Sequence, residues 1–232
     1  MNSLTGEDQA RLLREALRVY RRYALEVVES LGFCPYAERC RKEGHTREIV
    51  VLDAEATVET LLPVVHTLAE DDSVEVGLIL LPRSRSDRLT HARLVERLRR
   101  AHQDEPGGLV MAMEGFHPEA TADLSNPEKL VPFVRRTPDP TIQLVRLSVL
   151  NQLRRNAADH GTAFFDPSKM TVDAFLQTPP QKPLHVRIAE ANLETAKAKT
   201  VEVIEALYAD ILRDREASYG DLAPRLAEGS RG

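Results

Sequence analysis

Short β-branched runs alternate with helix-period segments between Glu48 and Met113, and this alternation limits the possible folds more than any other feature of the sequence. The runs that predict strands are Glu48–Leu52, Val74–Leu81 and Leu109–Met113, and the segments that predict helices are Glu55–Glu70 and Arg88–His102. Strands separated by helices pair in parallel through right-handed crossovers. The sequence therefore predicts an α/β fold, with a small, mostly parallel sheet of three or four strands covered by helices.

Longer helix-period segments flank this region. Glu7–Leu31 has apolar residues at intervals of three and four with arginines between them, and Gly32 is placed to end the helix in a left-handed conformation. Leu184–Arg213 predicts a long C-terminal helix, and Thr141–Asn156 has a shorter stretch of helical spacing.

The chain is predicted to divide into one domain and a tail. Residues 1–215 predict a single α/β domain, since no internal repeat or low-complexity tract interrupts them. Gln177–Pro183 reads as a Pro-containing connector within that domain. Residues 216–232 lose the helical periodicity, and we expect them to be frayed.

Composition excludes several classes of partner. The chain has 232 residues, of which 42% are hydrophobic and 29% charged, so it can bury a sizeable core. A net charge of −5 and the absence of Trp argue against nucleic acid as the main partner. No apolar run approaches the ~18 residues of a membrane span, and the N-terminus lacks the pattern of a secretory signal. We therefore expect a cytoplasmic protein that binds neither nucleic acid nor membrane.

Cys34 is the first candidate for chemistry. It precedes Pro35, which suits the first position of a helix, and a thiol beside that turn meets unpaired backbone donors that lower its pKa. On this interpretation Cys34 is a nucleophile, or a ligand of haem or a metal. The alternative is that Cys34 fills the helix junction as a small apolar residue.

His117 is the second candidate, because it lies just beyond the third predicted strand and ligands collect at the carboxyl ends of strands in open α/β sheets. An imidazole at this position can act as a general acid or base, or as a metal ligand. The alternative is a structural histidine that bonds to the backbone of a loop.

Basic residues in two loops form the third group. Both loops can reach the edge of the sheet at His117, where guanidinium groups bind carboxylate or phosphate. The members are Arg83 and Arg85 after the second predicted strand, Arg135, Arg136 and Thr137 in a Pro-rich loop, and the weaker Arg146 in the helical segment that follows. The alternative is that these arginines are solvated.

Several familiar catalytic motifs do not occur in the sequence. It has no Gly-rich phosphate loop, no dinucleotide-binding glycine pattern, no His-Glu-x-x-His, no Gly-x-Ser-x-Gly and no Cys-x-x-Cys. Nucleotide hydrolases and zinc peptidases built on those motifs are therefore excluded.

Four short motifs occur in a fixed order: Phe33-Cys34-Pro35-Tyr36-Ala37, Phe116-His117-Pro118, Arg136-Thr137-Pro138-Asp139-Pro140-Thr141 and Asn192-Leu193-Glu194-Thr195. On these motifs the chain resembles a bacterial family known as domain of unknown function fourteen-fifteen, from about Ala16 to about Lys199. The resemblance carries over no activity. It implies that Cys34, His117 and Arg136 belong to one recurring set.

The chain departs from the family pattern at three places. Glu119-Ala120-Thr121-Ala122 stands where the family has an acidic residue, Tyr, Gln and Phe, and Asp139 stands where an aromatic residue is usual. Pro82-Arg83-Ser84-Arg85 stands where His-Pro is expected. These departures from the family pattern imply a changed pocket and a specialised ligand.

These residues support three functional hypotheses. The first is an enzyme acting on a small anionic metabolite, in which arginines hold the anion, His117 moves protons and Cys34 is nucleophile or ligand. The second is an oxidoreductase with haem or a metal bound by His117 or Cys34; the cofactor is unknown, and haem is the first to test. The third is a ligand- or redox-sensing module that contacts another protein, or a second copy in a homodimer.

Overall fold

The structure, a computed structural model, describes residues 4–34, 36–108, 110–120, 123–151, 184–199 and 201–225. In chain order the elements are α1 (Gly6–Tyr23), a π-helical segment (Ala24–Glu29), α2 (Ala37–Lys42), β1 (Thr46–Val50), α3 (Val58–Glu70), β2 (Val76–Leu80), α4 (Arg88–Gln103), β3 (Met111–Phe116), α5 (Pro127–Val134), β4 (Thr141–Arg146), α6 (Leu184–Lys199) and α7 (Val201–Tyr219). A short 3-10 helix, Gly220–Leu222, follows α7.

The four strands form one sheet in the order β1-β2-β4-β3. β1, β2 and β3 run in the same direction, whereas β4 is antiparallel to both of its neighbours, β2 and β3. The α/β class is confirmed, but the sheet is mixed rather than mostly parallel. The carboxyl ends of β1, β2 and β3 lie at the same end of the sheet, together with the start of β4.

β4 comes from a segment that the sequence analysis assigns to a helix. The spacing of Thr141–Asn156 fits a helix, yet its first six residues pair with two strands. Alternate residues of a strand share a face, and Ile142 and Leu144 are fully buried in one core. Pairing across the sheet therefore overrides the local spacing, and the chain becomes helical only at 147–151. Residues 152–156 of the predicted helix lie outside the described residues.

Helices cover both faces of the sheet. On one face α1, α5, α6 and α7 form a core with Leu78 and Leu80 of β2. On the other face α3 and α4 form a second core with Ile79 and with Leu81, the residue after β2. Successive residues of β2 point to opposite faces, which explains why this run is apolar throughout.

Side-chain caps fix where four of the helices begin. The residue before each helix accepts a hydrogen bond from a backbone N–H of the first turn, which satisfies a donor that the helix leaves unpaired. The caps are Thr5 for α1, Thr57 for α3, Asp87 for α4 and Asn126 for α5. At the other end of the first long helix, Gly32 has a φ of 66°, the left-handed conformation that the sequence predicts.

The C-terminal region differs from the sequence prediction. The described residues of the predicted helix Leu184–Arg213 are helical, as α6 and α7, and α7 continues to Tyr219 rather than ending at a frayed tail after residue 215. Tyr219 is 1% exposed, so this part of the tail is packed. The connector Gln177–Pro183 and residues 226–232 lie outside the described residues, and the single-domain assignment stays a prediction. None of the described helices combines the length and apolar character that a membrane span needs.

Asp139 connects α7 to the end of the sheet at which β1, β2 and β3 finish. Its carboxylate accepts hydrogen bonds from Arg215 Nε at 2.7 Å and from Tyr219 Oη at 2.6 Å, and all three side chains are buried. Arg215 Nη2 also donates to the Pro82 carbonyl, just after β2, at 3.3 Å. The aspartate that replaces an aromatic residue of the family pattern is therefore the centre of a buried ion pair.

We expect Asp139→Ala to lower the free energy of unfolding by about 3–5 kcal/mol, because it leaves the Arg215 guanidinium buried without its counter-charge. Tyr219→Phe removes one hydrogen bond and is expected to cost about 1–3 kcal/mol. Urea unfolding measures both changes. Asp210→Ala, which removes an exposed partner of Arg22, is the control and should cost no more than about 1 kcal/mol. Equal losses of unfolding free energy in Asp139→Ala and Asp210→Ala would contradict the assignment of Asp139 as the centre of a buried ion pair.

Candidate functional site

A pocket of about 230 Å³ opens at β3, the edge strand of the sheet, between the start of α4 and the end of α5. Its polar lining residues are Arg88, His91, His117 and Arg135, and its apolar walls include Leu89, Val131 and Pro132. Sites for drug-sized ligands begin at about 300 Å³. The pocket is therefore smaller than most of those sites.

Three elements position these side chains. β3 ends at Phe116, so His117 is the first residue beyond the strand, and the Asp87 cap places Arg88 and His91 in the first turn of α4. Gly115 allows the helix to approach the strand closely. A Cβ at residue 115 would lie 3.3 Å from the His91 ring, so a side chain there would crowd the imidazole.

Backbone groups hold both ring nitrogens of His117. Nε2 lies 2.9 Å from the Ser86 carbonyl oxygen, which can only accept, so Nε2 carries the proton. Nδ1 accepts a hydrogen bond from the Glu119 N–H at 3.2 Å. Burial lowers the pKa of His117, and the Ser86 carbonyl and the Glu119 carboxylate oppose this effect. His117 thus joins two loops as a neutral imidazole, the arrangement of its structural alternative, and a role in chemistry stays a prediction.

His91 has a ring nitrogen that finds no partner among the described residues. The side chain is 1% exposed, and Nε2 donates to the Thr141 carbonyl at 3.1 Å, which leaves the lone pair of Nδ1 unused. Burial, reinforced by repulsion from His117, lowers the pKa of His91 to about 4 against the opposing hydrogen bond to Thr141. The two imidazole rings lie 5.7 Å apart. His91 is therefore a neutral imidazole that lines the pocket, with one acceptor that no described residue uses.

Sequence reasoning missed His91 because it lies on a helix rich in charged residues, where we read histidines as structural or solvated. One signal could have identified its burial. His91 shares the apolar face of α4 with Leu94, Val95 and Leu98, at intervals of three, four and seven residues.

Two arginines border the pocket. Arg135 donates from Nη1 to Glu114 at 2.7 Å, and its guanidinium lies 5.7 Å from the centre of the Phe116 ring. Arg88, the first residue of α4, makes no hydrogen bond or ion pair with any described residue. The capping carboxylate of Asp87 already lies at this end of the helix dipole.

Arg136, the arginine of the family motif, is engaged elsewhere. It is 3% exposed and forms a two-point ion pair with Glu205 of α7 at 2.7 and 2.8 Å. Its guanidinium lies 4.4 Å above the ring of Tyr208, and Nη1 donates to the Ala120 carbonyl at 3.1 Å. Arg136 therefore connects α7 to the loop that borders the pocket.

The remaining predicted binding residues donate hydrogen bonds to backbone carbonyls or face solvent. Arg146 donates to the carbonyls of Ala69 and Asp71 at 3.2 and 2.7 Å, so it caps the end of α3. Thr137 Oγ1 donates to the Asp139 carbonyl at 2.6 Å. Arg83 donates to the Leu52 carbonyl at 3.2 Å, and Arg85 is exposed.

The described interactions of the Cys34 and His117 side chains share no residue. Cys34 interacts with Tyr20 and Tyr23 of α1, whereas His117 interacts with the loops before α4 and after β3. The expected lowering of the Cys34 pKa is wrong. Burial raises the pKa more than the backbone donors of Tyr36 and Ala37 lower it. Within the described residues, no group of three or more His, Cys, Asp or Glu side chains is arranged to hold a metal ion.

The fold and the pocket define an α/β protein with a mixed four-stranded sheet and a small pocket at its edge strand. Residues 16–166 match the family described as "Protein of unknown function (DUF1415)", and the chain belongs to that family. The predicted family membership is confirmed, and the matched range contains Cys34, His117 and Arg136. The chain matches no curated protein and no solved structure at significant similarity.

The lowered pKa of His91 predicts a loss of stability in acid. The unfolded side chain titrates near 6.5 and the native one near 4, so the contribution is complete above pH 6.5 and declines as the pH falls from 6.5 to 4. The shift corresponds to about 3 kcal/mol over this window. Denaturant unfolding of the wild type between pH 4 and 7.5 should show the decline.

His91→Gln should remove much of this pH dependence, because glutamine does not titrate. His45→Gln, at a partly exposed histidine near the start of β1, is the matched control and should keep the slope of the wild type. The same slope in His91→Gln and in the wild type would contradict the prediction.

Proposed function

We propose that the protein is an enzyme that acts on a small anionic metabolite bound in the pocket at β3. The observation that carries the proposal is the combination of Arg88, which has no partner among the described residues, with His91, whose buried Nδ1 also has none. Both residues line the same pocket. A neutral imidazole with an unused acceptor and a guanidinium group that has no partner among the described residues, both beside one small cavity, favour a ligand that carries a donor and a negative charge.

Arg88 binds the negative charge of this substrate. A guanidinium group binds carboxylate or phosphate through two hydrogen bonds. Arg135 provides a second guanidinium at the rim, where Glu114 holds it. The apolar side chains of Leu89 and Pro132 suit a short hydrocarbon portion.

His91 accepts a hydrogen bond from the substrate at Nδ1. Because its pKa is about 4, the imidazole stays neutral at physiological pH and orients an O–H or N–H group of the substrate. His117, which lies beside it, fixes the loops on either side of the pocket and keeps the His91 ring in a neutral environment. The catalytic arrangement of this proposal thus relies on His91 and Arg88, with Arg136 and His117 in support.

The location and the partner that we propose are those expected from the sequence. We place the enzyme in the cytoplasm, with a small anionic molecule as its partner. Cys34, with a raised pKa and no described interaction with the pocket, is not assigned a role in this proposal.

Anion binding tests the proposal. Isothermal titration calorimetry with inorganic phosphate and with a small hydroxycarboxylate, lactate, should show binding at one site. Arg88→Gln should weaken that binding at least tenfold, because it removes a charge-assisted contact worth about 1.5–3 kcal/mol. Arg14→Gln, an exposed change of the same charge on α1, is the control. Equal binding by the Arg88 and Arg14 variants, or no binding of either anion, would overturn the proposal.

The haem hypothesis predicts a different result. Haem ligation by His117 would require breaking one of its two backbone hydrogen bonds, and the raised pKa of Cys34 opposes a thiolate ligand. The proposal therefore predicts no Soret absorbance in protein purified from cells supplied with iron and haem precursor. A Soret band that disappears in His117→Ala would replace the anionic-substrate enzyme with a haem protein.

A further inference from the structure

The two neighbouring helices α3 and α4, on one face of the sheet, carry opposite charges. The segment 53–72, which contains α3, has six acidic residues and no lysine or arginine, whereas α4 has five arginines and one acidic residue. The acidic residues of the segment are Asp53, Glu55, Glu59, Glu70, Asp71 and Asp72. The outer surface of this helical layer is therefore divided into an acidic half and a basic half.

The central charges of both halves face solvent. Glu59 of α3 and Arg93 and Arg97 of α4 are exposed, and none of the three forms an ion pair with a described residue. Each lies two residues, a little more than half a helical turn, from a buried apolar residue, which is Leu61 for Glu59 and Val95 for the two arginines. Both sets of charges are therefore available to a partner.

α3 and α4 lie side by side and run in the same direction, because each connects strands that are parallel to one another. The ring of His66 on α3 lies 6.2 Å from that of His102 on α4. Glu59 and Arg97 precede these histidines by seven and five residues, so they are level with each other to within about 3 Å along the helices. A hydrogen bond with Thr57 lowers the pKa of Glu59, and the charge of Arg97 lowers it further. Glu59 and Arg97 are therefore neighbours on this surface.

We propose that the outer faces of α3 and α4 form a two-fold interface with the same faces of a second copy of the chain. A two-fold axis that lies in the interface and parallel to the helices places α3 of each copy over α4 of the other. Rotation about this axis leaves the position of a residue along the helices unchanged. Glu59 of each copy therefore faces Arg97 of the other, and the four charges form a ring of alternating sign. Because both copies use the same surface, the assembly closes at two chains.

A second copy fits this surface better than a partner of a single charge. An acidic protein that bound α4 would also meet the acidic segment 53–72 beside it, and a basic protein that bound the acidic segment would meet the arginines of α4. The complementary surface must carry both signs in adjacent halves, with opposite charges placed against each other. The surface formed by α3 and α4 meets this requirement when it faces a copy of itself. The dimer does not depend on the proposed function of the pocket.

Sedimentation velocity of the full chain tests the dimer. The wild type should sediment as a dimer in dilute salt. Its dissociation constant should rise at least tenfold between about 0.1 M and about 1 M NaCl, because the screening length falls from ~10 Å to ~3 Å. Exposed ion pairs are individually weak, so the association should also depend on protein concentration.

Charge reversal identifies the surface. Glu59→Arg and Arg97→Glu each place like charges opposite one another at both contacts of the ring, so each variant alone should self-associate at least tenfold more weakly than the wild type. An equal mixture of the two variants places opposite charges at both contacts again and should restore the dimer. Glu7→Arg and Arg14→Glu, the same changes at exposed positions of α1, are the matched controls. The controls should associate as the wild type does, alone and mixed.

Three results would overturn the proposal. The first is a wild type that stays monomeric in dilute salt, and if that monomer binds a hexaglutamate or hexalysine peptide, one half of the surface belongs to a different protein partner. The second is a dimer that the two variants leave unchanged, or that the controls weaken equally, which would indicate another surface or a general charge effect. The third is a mixture of the two variants that stays monomeric although circular dichroism shows both chains to be folded.

Discussion

The antiparallel insertion of β4 between β2 and β3 is the constraint on which the rest of the molecule depends. It moves β3 to the edge of the sheet, so the end of β3 faces the start of α4 and the end of α5 rather than another strand. It also brings the Thr141 carbonyl to His91 and places Asp139 against Arg215. One set of backbone pairings thus creates the pocket, orients its buried imidazole and attaches the last helix.

The elements with local signals could be predicted from the sequence, and β4 could not. The capped helix α4 and the apolar run of β2 each contain their own evidence, in the form of a cap, a period and a length. In β4, alternation and helical spacing coexist over six residues, and only hydrogen bonds to strands at least 25 residues away in the chain decide between them. The site was harder still. His91 is functional in our proposal because of an unpaired nitrogen, and pairing is a property of the fold that no motif records.

Burial separates the arginines of this protein into two groups. Arg136, Arg146 and Arg215 are nearly inaccessible, and each donates hydrogen bonds to carboxylates or carbonyls, although Nε of Arg136 has no partner among the described residues. Arg88 and Arg93 are accessible and have no partner among the described residues. The buried arginines stabilise the elements of the fold, and the accessible arginines lie on the surface of those elements. A recurring arginine in a family pattern can therefore mark the architecture of a site instead of its ligand contacts.

Burial also determines which groups carry the charge of the pocket. Burial keeps His91 and His117 neutral, so positive charge at the pocket comes from the guanidinium groups, which do not lose their protons at any physiological pH. An anion bound at Arg88 would favour the protonated form of a nearby imidazole and raise its pKa. For the proposed substrate two effects therefore oppose each other, because its negative charge favours the protonated imidazole and its hydrogen bond to Nδ1 favours the neutral one.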